Sequence, residues 1–290
     1  MKRIIILIPV FNDWESLKKL LGEINNSIQD IENVLFNCLI INDASTIKQP
    51  LLKKPDNINS IKVLNMKENK GHARCNAFGL RYICEKENFE YVILMDGDGE
   101  DRPTEIKSLV KKIKEFPNKS VVAKRVKRSE GTFFQFLYRV HKLLTIIFTG
   151  KNINFGNYSC LLKSDAKIIS NKASLWSSFS GTVKKNLQNL NEIESIRGSR
   201  YFGPSQMSLL NLLIHSFSII AVFKYQVLIR SIIIILIFTY LFSLYGLALF
   251  TLSSLIMVFN VIIFITSLRE KEDELKNSHN NLVDVIEVTH

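Results

Sequence analysis

The feature that most constrains this chain is a run of 38 residues without a charged side chain, from Ser231 to Leu268. As one helix the run would be about 57 Å long, nearly twice the ~30 Å hydrocarbon core of a bilayer. Two helices of about 18 residues each, turning near Phe250 to Ser254, fit a bilayer better. Basic residues flank both ends, so the positive-inside rule predicts a multi-pass integral protein of the inner (cytoplasmic) membrane with both chain ends in the cytoplasm. These flanking residues are Lys224, Arg230, Arg269 and Lys271.

The segments on either side of this run are less apolar. Met207 to Phe223 contains one titratable group and several serines, which favours an interfacial helix or helix pair on the membrane, with a buried core helix as the alternative. Glu270 to His290 is predominantly acidic and predicts a short cytoplasmic helix or a disordered tail. We therefore expect a catalytic domain over residues 1–205, interfacial helices over 206–230, two transmembrane helices over 231–268, and a cytoplasmic tail over 269–290.

Short apolar runs alternate with amphipathic segments over the first 125 residues. The β-branched run Ile4 to Ile8 is typical of a strand buried on both faces, and Pro9 with the polar pair after Phe11 favours this strand over a signal peptide. Alternating strands and helices predict a Rossmann-like, mostly parallel sheet, with ligands bound beyond the carboxyl ends of its strands. Further strands are expected at Asn37–Ile41, Ile61–Leu64, Tyr91–Met95 and Ser120–Ala123, and helices at Asp13–Ile28, Gly71–Glu85 and Thr104–Lys114.

The overall charge and the cysteine spacing exclude several classes of protein. The net charge is +11, yet no nucleic-acid-binding motif accompanies it, so anionic lipid and phosphate ligands are favoured over nucleic acid. Four scattered cysteines form no CxxC pair, which argues against a disulfide framework or a zinc site. Reduced thiols in a cytoplasmic compartment fit this pattern.

The principal chemical motif is Asp-Gly-Asp-Gly-Glu-Asp, residues 96–101, at the end of a predicted strand. Carboxylates at positions i and i+2 can converge on a hard cation, and Mg²⁺ or Mn²⁺ would take further ligands from water and substrate phosphates. The alternatives are a plain acidic turn and a Ca²⁺ loop, although the twelve-residue spacing of such a loop is missing.

Six short segments then carry a resemblance, in the order and spacing of one family. They are IIILIPVFND, LIINDAST, NKGHARCNAFGL, VILMDGDGEDRP, VVAKRVKR and RGSRYFGPS. The chain resembles the family 2 glycosyltransferases of the GT-A fold, especially the membrane-anchored group that includes dolichyl-phosphate mannose synthase and bacterial polyprenyl-phosphate glycosyltransferases. The resemblance implies a GT-A fold, a nucleotide-diphosphate sugar as donor and a divalent metal.

The resemblance also implies roles for individual residues. Asp98 would ligate Mg²⁺ or Mn²⁺ directly, Asp96 would bind ribose or metal-bound water, and Glu100 could serve as a further oxygen ligand. Arg125 and Arg128, joined by Arg139, would face a pyrophosphate or lipid phosphate. The nucleotide pocket and its closing segment would be formed by Pro9, Phe11, Asn12, Asp43, Asn69, Gly71, Asn76, Asn157, Arg200 and Ser205.

Two positions depart from the family pattern. The Gly-Asp-Phe-Arg segment of many polyprenyl-phosphate relatives is Gly-Asn-Tyr-Ser here, with Asn157 at the Asp position, and Gln206 replaces a lysine. An amide cannot act as a base, but a phosphate acceptor is already anionic and scarcely needs one. A sugar hydroxyl would need a base, for which Asp101 and Asp165 are candidates.

The sequence therefore predicts a metal-dependent inverting hexosyltransferase of cell-envelope polysaccharide synthesis. The donor would be a UDP- or GDP-linked sugar and the acceptor a polyprenyl phosphate at the cytoplasmic face of the membrane. Two alternatives stay open: transfer to a hydroxyl of a lipid-linked glycan, and a non-catalytic nucleotide-sugar-binding membrane subunit. A homo-oligomer is also left open.

Overall fold

The computed structural model describes residues 1–127, 132–203 and 208–288. Within these residues the chain forms one mixed sheet of eight strands in the spatial order β7-β5-β6-β4-β1-β2-β3-β8. The strands are β1 (Lys2–Val10), β2 (Val34–Asn42), β3 (Ser60–Met66), β4 (Tyr91–Leu94), β5 (Val121–Lys127), β6 (Phe155–Leu162), β7 (Asn191–Ile196) and β8 (Leu282–Glu287). The helices are α1 (Trp14–Ile28), α2 (His72–Lys86), α3 (Ile106–Glu115), α4 (Thr132–Thr149), α5 (Lys163–Ser170), α6 (Phe179–Asn186), α7 (Leu209–Ala221), α8 (Lys224–Tyr240), α9 (Phe242–Ser267) and α10 (Glu272–Lys276).

The central strand β1 is buried on both faces, as its continuous apolar run predicts. Ile5 and Leu7 pack into the core on the α2 side, whereas Ile4, Ile6 and Ile8 pack into the core that includes α1 and α3. Its parallel pairing with β2 and β4 places the carboxyl ends of all three strands at one edge of the sheet. Polar residues that follow these strands are therefore brought together.

The sheet is less parallel than expected, because two strands that the sequence did not predict run antiparallel to their neighbours. β6 inserts between β4 and β5 and is antiparallel to both. β8, at the far edge, is antiparallel to β3. The correction matters for the site, since β6 carries Asn157 to the carboxyl end of β4.

The acidic tail is ordered in a way that the sequence did not predict. The expected short helix is present as α10, but the chain then continues into β8 and pairs with β3. Lys224 Nζ lies 3.1 Å from Glu270 Oε2, so an ion pair joins the start of α8 to the segment just after α9. Both ends of the apolar segment are consequently attached to the part of the chain that contains the sheet.

The helical part differs from prediction in where it breaks. The expected turn at Phe250 to Ser254 lies inside α9, and the break lies at Gly246, where glycine adopts φ 45° and ψ −119°. By length and composition one helix, Gly246–Lys276, could cross a membrane, with 6% of its apolar window buried. α7 and α8 meet the same test only as a pair bent by 83°. The apolar helices begin earlier than expected, since α8 starts at Lys224.

Candidate active site

The loop after β4 brings two carboxylates to the carboxyl edge of the sheet. Asp96 and Asp98 are each about four-fifths buried, with 18% of the side chain exposed. Gly97 permits this arrangement: a Cβ there would lie 2.9 Å from the carbonyl oxygen of Pro9 on the neighbouring strand. The glycine therefore lets the acidic loop pack directly on the end of β1.

Asp96 is balanced by an imidazole that the sequence analysis did not single out. His72 Nε2 lies 3.1 Å from Asp96 Oδ1, and Asn157 Nδ2 donates to the same oxygen at 3.3 Å. Burial disfavours the charged form of each partner, but their mutual attraction prevails: it raises the pKa of His72 and holds the pKa of Asp96 below its usual range. The signal was present, because His72 stands inside the quoted segment NKGHARCNAFGL.

Asp98 is balanced by Arg200, a residue more than a hundred positions later. Arg200 Nη1 donates to Asp98 Oδ2 at 2.8 Å, and its Nη2 donates to Asp13 Oδ2 at 2.6 Å. The backbone N–H of Glu100 donates to the other Asp98 oxygen at 3.0 Å. Burial and the charge of Asp96 raise the pKa of Asp98 to about 6, against the opposing charges of Arg200 and Arg197.

A loop of residues 197–203, hereafter the covering loop, lies over the acidic segment. Tyr201 N–H donates to the carbonyl of Asp98 at 2.9 Å, and Gly198 N–H donates to the carbonyl of Glu100 at 2.8 Å. The Tyr201 ring occupies the space beside Gly99, where a Cβ would lie 2.5 Å from ring atoms. Gly99 also has φ +89°, so both backbone and packing favour glycine there.

Glu100 is not brought into the predicted set of metal ligands. Its carboxylate forms an ion pair with Arg197 of the covering loop. Across residues 1–127, 132–203 and 208–288, no group of three or more His, Cys, Asp or Glu side chains is arranged to hold a metal ion. Two hard carboxylates remain, and these fit a Mg²⁺ or Mn²⁺ ion that completes its shell with water and substrate phosphates. Arg200 and His72 offset the negative charge of the Asp98 and Asp96 carboxylates, which such an ion would otherwise neutralise.

Asp101 holds the acidic loop in place through a hydrogen bond to its backbone, and it is a poor candidate for a catalytic base. Its carboxylate is buried and accepts the backbone N–H of Asp96 at 3.0 Å. Burial, reinforced by the charge of Asp96, raises the pKa of Asp101 to about 8. Asp165, the other candidate, accepts a hydrogen bond from Ser120 at the opposite end of β5 from Arg125.

Asp43, at the end of β2, holds a loop in place with both of its oxygens. They accept the backbone N–H groups of Lys70 and Gly71, each at 2.8 Å. Gly71 has φ 87°, a conformation that glycine adopts without strain, and α2 begins at the next residue, His72. Asp43 thereby positions the loop that delivers His72 to Asp96.

Asn12 and Asn76 likewise make internal contacts. Asn12 Oδ1 accepts the backbone N–H groups of Thr46 and Ile47 at 2.8 and 3.0 Å, which ties the end of β1 to the segment after β2. Asn76 is buried, with its Nδ2 3.0 Å from His72 Nε2. Phe11 and Asn69 are exposed at this same edge.

The predicted basic residues do not all reach the site. Arg125 does: its guanidinium lies against Gly156, where a Cβ would be 2.5 Å from Nη2, and its charge contributes to the lowered pKa of Asp96. Arg139 lies instead on the exposed face of α4. Arg128 and Ser205 lie outside the described residues.

The sequence of the chain decides its family. Residues 5–179 match the sequence model of Glycosyl transferase family 2. The chain belongs to this family. The match ends before the covering loop and the apolar helices.

Solved structures of two glycosyl-transferring proteins are similar to this chain in fold. Glucosyl-3-phosphoglycerate synthase of Mycobacterium tuberculosis, in complex with Mn²⁺, UDP-glucose and phosphoglyceric acid, has a TM-score of 0.53 at 13% identity, over 78% of this chain and 80% of that one. The mannosyltransferase PcManGT of Pyrobaculum calidifontis, in complex with GDP-Man and Mn²⁺, has a TM-score of 0.49 at 12% identity, over 96% and 87%. The first likeness shows the nucleotide-sugar transferase fold.

A curated relative is an uncharacterized protein of Methanocaldococcus jannaschii, 28% identical over 116 residues. The match covers 38% of this chain and 47% of the relative. The chain therefore matches about half the length of that protein.

Proposed function

We propose that this family 2 chain transfers a hexose from a nucleotide-diphosphate sugar, UDP- or GDP-linked, to a polyprenyl phosphate at the cytoplasmic face of a membrane. The observation that carries the proposal is the pair Asp96 and Asp98, held at the carboxyl edge of the sheet and balanced by side chains that can be displaced. The fold it shares with a synthase solved with Mn²⁺ and UDP-glucose supports the same class of donor.

The two carboxylates would hold a Mg²⁺ or Mn²⁺ ion against the donor diphosphate. When bound, such an ion supplies charge neutralisation of the departing diphosphate. Arg125 lies on β5, which β6 separates from β4, and its charge contributes to the lowered pKa of Asp96. It adds a guanidinium fork suited to phosphate oxygens. Arg200, which donates to both Asp98 and Asp13, would keep the Asp13 contact if Asp98 held an ion, and its other guanidinium nitrogen would be available to the donor.

An anionic acceptor agrees best with the groups that surround the reacting region. An acceptor oxygen would attack the anomeric carbon opposite the departing diphosphate, which inverts the configuration. A phosphate oxygen needs no proton removed, whereas a sugar hydroxyl does. Asn157 cannot supply a base, Asp101 is engaged by the Asp96 backbone, and Asp96 itself faces His72.

We infer a membrane hairpin from α8 and α9. The Lys224–Glu270 ion pair and the β3–β8 pairing return the chain to the domain from which it left. Asn260 Nδ2 on α9 donates to Ser231 Oγ on α8 at 2.8 Å, a contact between the two helices. An even number of crossings follows, and the basic residues at both ends support a cytoplasmic catalytic domain.

The test uses the full chain in lipid vesicles with a panel of nucleotide-sugars, Mn²⁺ or Mg²⁺, and polyprenyl phosphate. We expect a mild-acid-labile polyprenyl phosphosugar. Asp98→Asn should lower its rate at least ~100-fold, since charge stabilisation by a bound ion contributes several kcal/mol. Asp56→Asn, at an exposed loop position, is the matched control. An acid-stable glycoside would favour a hydroxyl acceptor, and binding without any transfer would favour a non-catalytic subunit.

A further inference from the structure

One face of α4, a helix within the catalytic domain, is apolar and exposed. Phe136, Val140, Leu143 and Ile146 recur at helical spacing, and their exposed fractions are 61%, 37%, 58% and 41%. We call these four residues the α4 stripe. Soluble domains bury apolar side chains at this spacing, so an exposed row of them calls for something that covers it.

The opposite face of α4 is already packed against the membrane helices. Phe148 is 6% exposed and packs against Phe259 of α9, with ring centroids 4.6 Å apart and the ring planes tilted by 40°. His141 lies 3.0 Å from the carbonyl oxygen of Ser216 on α7. The inner face thus fixes how α4 is oriented on α7 and α9, and it leaves the stripe facing outward.

The α4 stripe is continuous with the exposed apolar surface of α8. Arg230 of α8 donates to the carbonyl of Ile147 in α4 at 3.2 Å, so the two helices are in direct contact. Ile229 and Ile233 on α8 are 59% and 51% exposed. If α8 enters a bilayer, a surface that adjoins it must lie at or near the same bilayer.

The charges beside the stripe have a single sign. None of α4, α7, α8 and α9 contains an aspartate or glutamate. Arg139 lies between Phe136 and Val140 in sequence and is exposed. Lys142 precedes Leu143, and Arg230 contacts α4 at the carbonyl of Ile147. An apolar row beside cationic side chains matches an anionic lipid surface, where the apolar residues enter the acyl boundary and the cations meet headgroups.

We propose that the α4 stripe is a membrane-docking surface that inserts at the headgroup boundary of an anionic bilayer. Arg139 then contacts lipid headgroups rather than the donor phosphate. Because β5 carries Arg125 and leads toward α4, docking of this helix holds the active-site edge at the membrane surface. This docking rests on the proposed entry of α8 into a bilayer, but it does not depend on which reaction the active site performs.

The test is site-directed spin labelling of the full chain in vesicles, at a low ratio of protein to lipid. Cys84 is replaced by serine, because it is the half-buried cysteine, while Cys38, Cys75 and Cys160 are buried. Labels at Leu143→Cys and, in a second variant, Phe136→Cys should collide more with oxygen than with a water-soluble nickel chelate. Ile168→Cys, an exposed isoleucine on α5, is the matched control and should show the reverse.

Three outcomes decide the proposal. Greater depth in vesicles that contain phosphatidylglycerol than in phosphatidylcholine alone, reduced by Arg139→Gln, supports an anionic lipid contact. Labels at 143 and 136 that report water, as at 168, overturn it. Labels shielded from both oxygen and the nickel chelate also overturn it, because a second protein surface would then cover the stripe.

Discussion

Replacement of Asn281 by alanine should weaken donor binding, although this residue lies beyond the apolar helices α8 and α9 in sequence. Asn281 ends the turn before β8. Its carboxamide forms hydrogen bonds with both backbone groups of Glu68, which lies in the loop before α2. Its Oδ1 accepts the N–H of Glu68 at 3.0 Å, and its Nδ2 donates to the carbonyl of Glu68 at 3.0 Å. The same loop ends at Lys70 and Gly71, which Asp43 holds.

The size of the effect follows from the two hydrogen bonds that are lost. Each contributes about 0.5–1.5 kcal/mol when well formed, and their exposure places them at the low end, so we expect about 1 kcal/mol in total. The backbone hydrogen bond from Lys67 N–H to the Asn281 carbonyl, 2.7 Å, survives the substitution. A cost of about 1 kcal/mol to order the loop corresponds to roughly fivefold weaker donor binding.

The measurement is calorimetric binding of UDP and GDP with Mn²⁺, together with hydrogen exchange of the amides of Glu68, Lys70 and Gly71. Asn281→Ala should raise the dissociation constant roughly fivefold and speed exchange at these amides, with little change in kcat. Asn280→Ala, exposed in the same turn, is the control. Unchanged exchange and unchanged affinity in Asn281→Ala would refute the positioning role.

Three further predictions follow from the site and its surroundings. Gly99→Ala should lower the free energy of unfolding by about 1–3 kcal/mol, because Gly99 has a positive φ and lies against the Tyr201 ring. Denaturant unfolding measures this change, and Gly22→Ala is the control, because no atom lies within 4 Å of the carbon added there. Arg200→Gln should lower the Mn²⁺ concentration needed for half-maximal nucleotide binding, since the guanidinium competes with the ion for a carboxylate; a raised requirement would contradict this. Glu105→Ala should lower the free energy of unfolding by about 2–4 kcal/mol, because the buried carboxylate pairs with Arg102 and accepts hydrogen bonds from Ser195 and the Ile196 N–H. A midpoint of thermal unfolding equal to that of the parent chain would contradict this stabilising role.

Local sequence patterns were sufficient to predict the central strands of the sheet. The continuous burial of Ile4 to Ile8 and the polar residues after β1, β2 and β4 followed from apolar runs and strand direction, both of which act over a few residues. The family and the acidic motif were likewise available from contiguous segments, and the family assignment is confirmed by the match over residues 5–179.

Long-range partners were not visible in the sequence. Arg197 meets Glu100, and Arg200 meets Asp98, across about a hundred residues of chain. Periodicity carries no information about such pairs, so Glu100 was assigned to the metal rather than to an arginine. β8 was missed for a related reason: it is a mostly exposed edge strand in an acidic tail, and only its pairing with β3 defines it.

The central claim, that Asp96 and Asp98 hold a divalent ion which in turn binds the donor diphosphate, is tested most directly by binding rather than turnover. Calorimetry of UDP and GDP should be carried out with and without Mn²⁺, on the parent chain and on the Asp96→Asn, Asp98→Asn double variant. We predict that Mn²⁺ strengthens nucleotide binding to the parent chain and has no such effect on the variant. Equal Mn²⁺-dependent affinity in the folded variant would contradict the account.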